Sequence, residues 1–247
     1  AAFLSACAAY TVGAGLVQIY TASENRLALQ ELLPEAIISC YDSYDDSQLS
    51  HLLDWADVVC IGCGLGMGQI SEKILKNVSC PCVIDADGLN LLSRNIELLN
   101  QCCAPVILTP HMKEMSRLTG WSIDTIMEDR FQALDQIIKQ SGPDTKSSII
   151  CVLKDSRTVV AQTNRQRFVN LAGNNSMAKG GSGDVLAGTI AGLLAQHMAP
   201  FEATTVGVFL HACGGDEAKK SKGSYSVLAR DLIQGMADAM KNAKECR

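Results

Sequence analysis

The four histidines of this chain stand alone, at positions 51, 111, 197 and 211, and no second CxxC follows Cys60-Ile-Gly-Cys63. A zinc site therefore has no ligand pattern to rest on, and no metal ligand set is assigned. The eleven cysteines are odd in number and scattered, so they outline no disulfide framework. Thiols used as small apolar side chains fit a reducing place, and the expected location is cytoplasmic. Positive charge is short: 21 Lys and Arg against 26 Asp and Glu leave a net charge of −5. That argues against a general nucleic-acid binder, and an anionic substrate must find local help from helix N-termini and a few cations. No basic segment opens the chain, and Gly13, Gly15 and Gln18 interrupt the apolar first twenty residues, so neither a signal peptide nor a membrane span is expected. Repeats, low-complexity tracts and linkers are lacking too, which makes residues 1–247 one expected domain. There is no initiator Met, and the chain is expected to begin inside that domain.

What is present is an alternation of elements. An apolar helix over the first residues leads to a strand at Leu16–Tyr20. Ser23-Glu24-Asn25 opens a helix that Pro34 closes, and 41–50, YDSYDDSQLS, is read as a polar surface loop. Strands follow at Asp57–Gly62, Cys82–Asp87, Val106–His111 and Ser148–Lys154, with helices ending near Asn77 and spanning Asp124–Gln140. Thr158–Ala161 and Arg167–Leu171 alternate as a hairpin around 162–166. Helices close the chain at 201–220 and 229–243. Strands alternating with helices imply an α/β protein with a mostly parallel sheet covered on both faces.

The most informative stretch is Gly173–Leu194, GNNSMAKGGSGDVLAGTIAGLL. Small polar residues lead into a helix at about Gly183, whose apolar spacing at Val185, Leu186, Ile190, Leu193 and Leu194 marks one face. Glycines at 180, 181 and 183 clear space where unpaired first-turn amides can face an anion. Asp184 in the first turn is stabilised as a carboxylate by the helix dipole, by roughly 0.3–1 kcal/mol. An anion hole beside an ionised base suits phosphoryl transfer to a hydroxyl. The same letters also make an ordinary helix start, with Ser182 as the cap. The loop is neither a Walker loop nor a dinucleotide fingerprint, since no GK[ST] follows and the spacing differs.

Other strand ends carry further polar groups. Gly62-Cys63-Gly64-Leu65-Gly66-Met67-Gly68 follows one strand, at a position where open α/β sheets bind ligands. Asp85 and Asp87 can position a substrate or a metal-bound water, although Asp87 reads better as the cap of a helix beginning at Gly88. His111 can hydrogen-bond a substrate or serve as a cap. Lys154 and Arg157 are candidates for phosphate or adenine-side contacts, or belong to a solvated turn. Lys179 balances phosphate charge or is solvated.

Four segments, VIDADGLNLL, ILTPHMKEMSRLTG, VLKDSRTVV and GNNSMAKGGSGDVLAGTIAGLLAQ, occur in this order. Together they resemble the ADP/ATP-dependent (S)-NAD(P)H-hydrate dehydratases, a nicotinamide-repair family. The resemblance runs from about Ala1 to the C-terminal helix. It implies a ribokinase-like three-layer α/β/α sandwich around a mostly parallel central sheet. It also implies a hydro-lyase reaction: ADP or ATP, with Mg2+ accompanying it, phosphorylates the 6-hydroxyl of hydrated NADH or NADPH, and loss of phosphate restores the dihydropyridine. On this resemblance Asp184 is the general base, and Ala1, Gly64, His111, Asn174 and Asp184 meet the hydrate. Lys154, Asp155, Ser156, Arg157 and Thr158, with Gly181, Ser182 and Gly183, meet the nucleotide. Homo-oligomers, commonly tetramers, are implied as well, with no membrane or nucleic-acid partner.

Lys113, Asp155 and Ser176 stand where that family usually carries glycine. Asp155 brings negative charge to the loop assigned to the nucleotide, which is expected to weaken binding or alter its choice, and Lys113 is expected to compensate or to reach the dinucleotide's phosphates. The family's strand and glycine-containing loop ahead of the first helix have no counterpart after Ala1. Two other readings share these residues. A ribokinase-like kinase of a hydroxymethylpyrimidine- or thiazole-type alcohol would use the same GSGD loop. A non-catalytic nucleotide-binding protein would keep the loop without turnover.

Overall fold

A computed structural model describes residues 1–43, 45–66, 69–140, 148–163 and 166–245. In chain order, helix α1 (Ala2–Thr11), strand β1 (Gln18–Ala22), helix α2 (Arg26–Leu32) and strand β2 (Ile37–Tyr41) come first. Next are α3 (Asp46–Trp55), β3 (Val59–Ile61), α4 (Gln69–Asn77), β4 (Cys82–Ile84), α5 (Ala86–Leu92) and β5 (Val106–Leu108). Helices α6 (Met112–Thr119), α7 (Ile123–Glu128) and α8 (Arg130–Gln140) precede strands β6 (Ile149–Leu153), β7 (Val159–Gln162) and β8 (Arg167–Val169). Helices α9 (Ser182–Leu194), α10 (Pro200–Ser226) and α11 (Ala229–Glu245) finish the chain. The backbone divides into two compact units. One comprises 1–44, 171–198 and 206–247, and the other comprises 45–170 and 199–205.

In the first unit β1 and β2 pair in parallel, Gln18 opposite Ile37 through Ala22 opposite Tyr41. The connection between them runs through α2, as parallel pairing requires a crossover. Leu29 and Leu33 from that crossover bury against Ala6 of α1 and Ile19 of β1. On the other side, Ala8 and Leu4 of α1 pack with Val185 of α9 and with Leu232, Ile233 and Met236 of α11. The approach of α1 to α9 is set by residue size. A Cβ at Gly188 would lie 2.0 Å from the Ser5 carbonyl oxygen. Ten consecutive residues of α9, Val185–Leu194, are buried, as expected of a helix enclosed by others.

The second unit is built on a six-stranded sheet in the order β3-β4-β5-β6-β7-β8. Its first four strands are parallel, and β7 and β8 turn back antiparallel. Every residue of β4, β5 and β6 is buried, which accounts for their unbroken apolar runs. Cys82 and Cys151 are part of those runs, fully enclosed among aliphatic side chains. Burial raises the thiol pKa of both, and pushes that of Cys102 up to about 11. These thiols stay protonated and behave as small apolar groups.

Several expected elements differ in detail. The segment read as a loop at 41–50 contains the end of β2 and the start of α3. The Asp45 carboxylate accepts from the amides of Ser47 and Gln48 and caps that helix, while Leu49 and Leu53 bury its inner face. Tyr44 lies outside the described residues. The single helix expected over Asp124–Gln140 is two, because Asp129 takes an extended conformation (φ −145°, ψ 92°) and accepts from the Gln132 amide at 2.9 Å. Helix α6 was not anticipated. The hairpin of β7 and β8 is as expected, though Asn164 and Arg165 of its turn are outside the described residues. None of the described helices is long and apolar enough to cross a membrane.

The close approach of α1 and α9 yields a prediction. Gly188→Ala is expected to destabilise the protein by roughly 1–3 kcal/mol through overpacking against Ser5, read as a lower urea midpoint with an unchanged slope. An unshifted midpoint would show that the two helices separate freely.

Candidate active site

In the first unit the glycine-rich entrance to α9 is shaped by Gly181. It occupies the N-cap position in the left-handed region (φ 91°, ψ −11°), and a Cβ there would meet Leu4 Cδ1 at 2.5 Å. Ser182 is therefore the first helical residue and not the cap, correcting the simpler helix-start reading. Its amide donates to the Lys179 carbonyl at 3.2 Å. Its hydroxyl lies 3.2 Å from Nε2 of the buried His211. Gly183 and Asp184 complete the first turn, where helix amides have no partners within the helix. The Asp184 carboxylate is 17% exposed, and its Oδ2 lies 4.0 Å from the Ala1 nitrogen. The fold thus brings together two of the residues assigned to the hydrate.

The lead-in 173–179 is held from α10. Asn174 Nδ2 donates to Asp216 Oδ1 at 2.7 Å, and the Gly173 amide donates to Asp216 Oδ2 at 3.1 Å. Asn174 Oδ1 in turn accepts from the Ser176 amide at 3.0 Å and from its hydroxyl. Both ends of the Asn174 side chain are engaged within the protein, so its evident work is to shape the loop. Ser176, 2% exposed, fits a position where glycine is usual because its hydroxyl joins this network. Lys179 Nζ donates to the Tyr225 carbonyl at 3.2 Å.

The second unit gathers strand-end residues. Asp87 does not cap a helix beginning at Gly88, because α5 already begins at Ala86. The Asp87 carboxylate accepts instead from the Gly66 amide at 2.8 Å and tethers the loop in which Gly64 lies exposed. Met67 and Gly68 of that loop are outside the described residues. Asp85, 2% exposed, makes no cap bond. Lys154 Nζ sits 2.6 Å from its Oδ1 and 3.9 Å from Glu114 Oε2. The Lys154 amide donates to the Pro110 carbonyl at 2.8 Å, and His111 and Lys154 face each other in an isolated parallel bridge. The lysine assigned to the nucleotide thus directs its charge at two buried carboxylates.

His111 is the N-cap of α6. Its Nδ1 accepts from the amides of Lys113 and Glu114 at 3.1 and 3.2 Å, and Glu114 Oε2 accepts from the His111 amide at 2.8 Å. With Nδ1 accepting, the neutral ring carries its proton on Nε2, which lies 3.4 Å from Glu114 Oε1. Burial lowers the His111 pKa, and the neighbouring Lys154 charge lowers it further. Burial raises the Glu114 pKa, with Lys154 pulling in the opposite direction. Lys113, exposed, contributes its amide to this cap.

Beyond Lys154 the loop closes on itself, with the Thr158 hydroxyl donating to the Asp155 carbonyl at 3.2 Å. Arg130 Nη2 lies 3.1 Å from Asp155 Oδ2, and its Nη1 donates to the Arg157 carbonyl at 3.3 Å. Ser156 and Arg157 are exposed. Four residues that matter here were not singled out from sequence: Glu114, Arg130, His211 and Asp216. Glu114 had a readable mark, since a Glu three residues after a cap is the capping-box spacing. The other three act over long sequence separations that no short pattern reports.

A mostly parallel sheet with polar groups at its strand ends is an α/β architecture, and its match to solved structures places it in the ribokinase-like class. The crystal structure of a ribokinase-like superfamily protein from Enterococcus faecalis V583 matches with a TM-score of 0.75 and 31% identity, over 97% of this chain and 81% of that one. Within the class, the NAD(P)H-hydrate dehydratase family model matches residues 1–237, and the chain belongs to that family. It is 34% identical over 254 residues to the bifunctional NAD(P)H-hydrate repair enzyme Nnr of Moorella thermoacetica, a match covering 98% of this chain and 47% of the relative. The ADP/ATP-dependent NAD(P)H-hydrate dehydratase from Bacillus subtilis, co-crystallized with ATP/Mg2+, matches with a TM-score of 0.77 at 26% identity, over 98% of this chain and 84% of that one. The chain spans about half the length of the bifunctional relatives it matches. The fold and family expected from the four motifs are both borne out.

The state of His111 predicts a pH dependence. Its folded pKa lies below the ordinary value of 6.5, so in the window below 6.5 the unfolded chain binds more protons. Stability contributed by the neutral ring is then complete above 6.5 and is lost as pH falls through the folded value. Glu114 acts with opposite sign from 4.5 upward, since its folded pKa is raised. His111→Asn keeps a good cap and removes only the histidine titration. The wild-type urea midpoint is expected to rise relative to the variant's as pH increases toward 6.5 and to level off above it; a pH-independent difference would refute the neutral cap.

Proposed function

We propose that this chain carries out the ADP- or ATP-dependent dehydration of (S)-hydrated NADH or NADPH, a hydro-lyase repair reaction. The observation that carries this reading is Asp184 in the first turn of α9, directly after the left-handed Gly181 cap, in a chain of the NAD(P)H-hydrate dehydratase family. Asp184 takes the proton of the 6-hydroxyl, and the oxygen attacks the terminal phosphoryl group of the nucleotide, whose remainder departs. First-turn amides at Gly183 and Asp184 face the charge that develops on that group; in other enzymes one such donor is worth about 2.7–4 kcal/mol. The ring nitrogen's lone pair then expels the phosphate, and loss of a proton from the adjacent ring carbon restores the dihydropyridine. Ala1, Gly64 and His111 orient the hydrate in this reading, and Asn174 acts by shaping the lead-in to α9. The loop from Lys154 to Thr158, with Gly181, Ser182 and Gly183, holds the nucleotide, which brings Mg2+ with its phosphates.

We read residues 1–247 as a single ribokinase-like domain, since one family model runs across both compact units. The protein works in the cytoplasm as a homo-oligomer, with a tetramer the expected state by light scattering.

The decisive assay incubates the protein with hydrated NADH and either ADP or ATP, following the return of dihydropyridine absorbance. Recovery with at least one nucleotide is expected. No recovery by folded protein would sink the reading, and a stable phosphorylated product would reassign the chain as a kinase. Asp184→Asn is expected to lower the rate by at least about 10²–10⁴-fold with nucleotide affinity within about threefold by calorimetry. Retained turnover in that variant would remove Asp184 from the role of base.

A further inference from the structure

We propose that Arg130 is a positioning residue for the loop 154–158, and that its pairing with Asp155 is what allows this chain to carry an acid there. The inference rests on the nucleotide-side reading of that loop. Asp155 and Arg157 flank the exposed Ser156 at the tip of the turn. Arg130, the first residue of α8, reaches both: Nη2 to Asp155 Oδ2 at 3.1 Å and Nη1 to the Arg157 carbonyl at 3.3 Å. The two side chains of the ion pair are 26% and 25% exposed, so the pair is partly shielded from solvent. The loop is pinned at its base by the Lys154 amide on the Pro110 carbonyl at 2.8 Å and by the Thr158 hydroxyl on the Asp155 carbonyl at 3.2 Å. Arg130 supplies the restraint at the tip.

The charge argument is separate from the restraint. A carboxylate in a loop that meets a polyphosphate repels it, and Lys154 is already directed at Asp85 and Glu114. The guanidinium of Arg130 is placed to cancel that carboxylate where it stands. An arginine is suited to this task, because its fork can bind a carboxylate and a carbonyl at once.

The two contributions separate in a mutant cycle read by calorimetry with ADP and by the split of Michaelis constants. Arg130→Met uncovers the Asp155 charge, and the ADP dissociation constant is expected to rise about tenfold, with the KM for the hydrate unchanged. The deficit should shrink as salt is added, since exposed repulsion is screened. Adding Asp155→Gly to Arg130→Met removes the uncovered acid, so the double variant should recover most of the affinity lost by Arg130→Met, the remaining deficit being the lost restraint at the tip. Arg130→Lys keeps the cation and is expected to lose no more than about threefold, which provides a test should the Met variant fold poorly. An unchanged Arg130→Met, or a double variant as weak as the single one, would overturn the inference while leaving the proposed activity standing. Failure of the wild type to bind ADP would instead overturn the nucleotide-side reading, and this inference with it.

Discussion

Lys154 is the constraint around which the second unit's strand ends are arranged. Its ammonium group lies 2.6 Å from a carboxylate that is almost wholly buried, and removing one partner of such a pair costs about 3–5 kcal/mol. Asp85 follows β4 and Lys154 follows β6, so the pair reaches across the intervening β5. His111 follows β5 and meets Lys154 through the backbone bridge and through the shared Glu114. Three strand ends are thereby held in one register by charge as well as by the sheet's own hydrogen bonds. This arrangement changes what Lys154 can be expected to do. A cation already facing two carboxylates neutralises its surroundings and fixes the start of the loop that follows.

The first unit holds its own loop largely by hydrogen bonds from α10. Its glycine-rich entrance to α9 leaves first-turn amides without helical partners, and a side chain at Gly181 would crowd Leu4. Gly181 clears the helix entrance. Asp216, reaching from α10, holds the lead-in through Gly173 and Asn174. His211, also on α10, stands beside the Ser182 hydroxyl. These contacts hold the glycine-rich segment in one conformation.

Most of the architecture was readable from local pattern. Buried parallel strands announce themselves as unbroken apolar runs, as at Val106–Leu108 and Ile149–Leu153. Helix α9 was readable from its apolar face and its glycines. Helix α3 was not, because its polar surface dominates the letters and only Leu49 and Leu53 turn inward. The break between α7 and α8 depends on whether Asp129 points its side chain at the Gln132 amide, a choice that composition does not report. At the entrance to α9, the glycines and Asp184 were legible as a helix start because they are adjacent in sequence. Asp87 was misread because an acid near a helix start looks like a cap, whereas this one reaches back 21 positions to the Gly66 amide.

The sequence by itself determined the alternation of strands and helices and the glycine-rich helix entrance with its carboxylate, and the resemblance of four ordered motifs pointed to the family. The first two follow from short-range physics: side-chain periodicity and backbone freedom at glycine. Only the tertiary structure decided how the charges are spent. Lys154 with Asp85, Arg130 with Asp155, and Asp216 with Asn174 are partners separated by 25 to 69 positions. Electrostatic pairing depends on distance in space, and that distance is set by which strands and helices pack together.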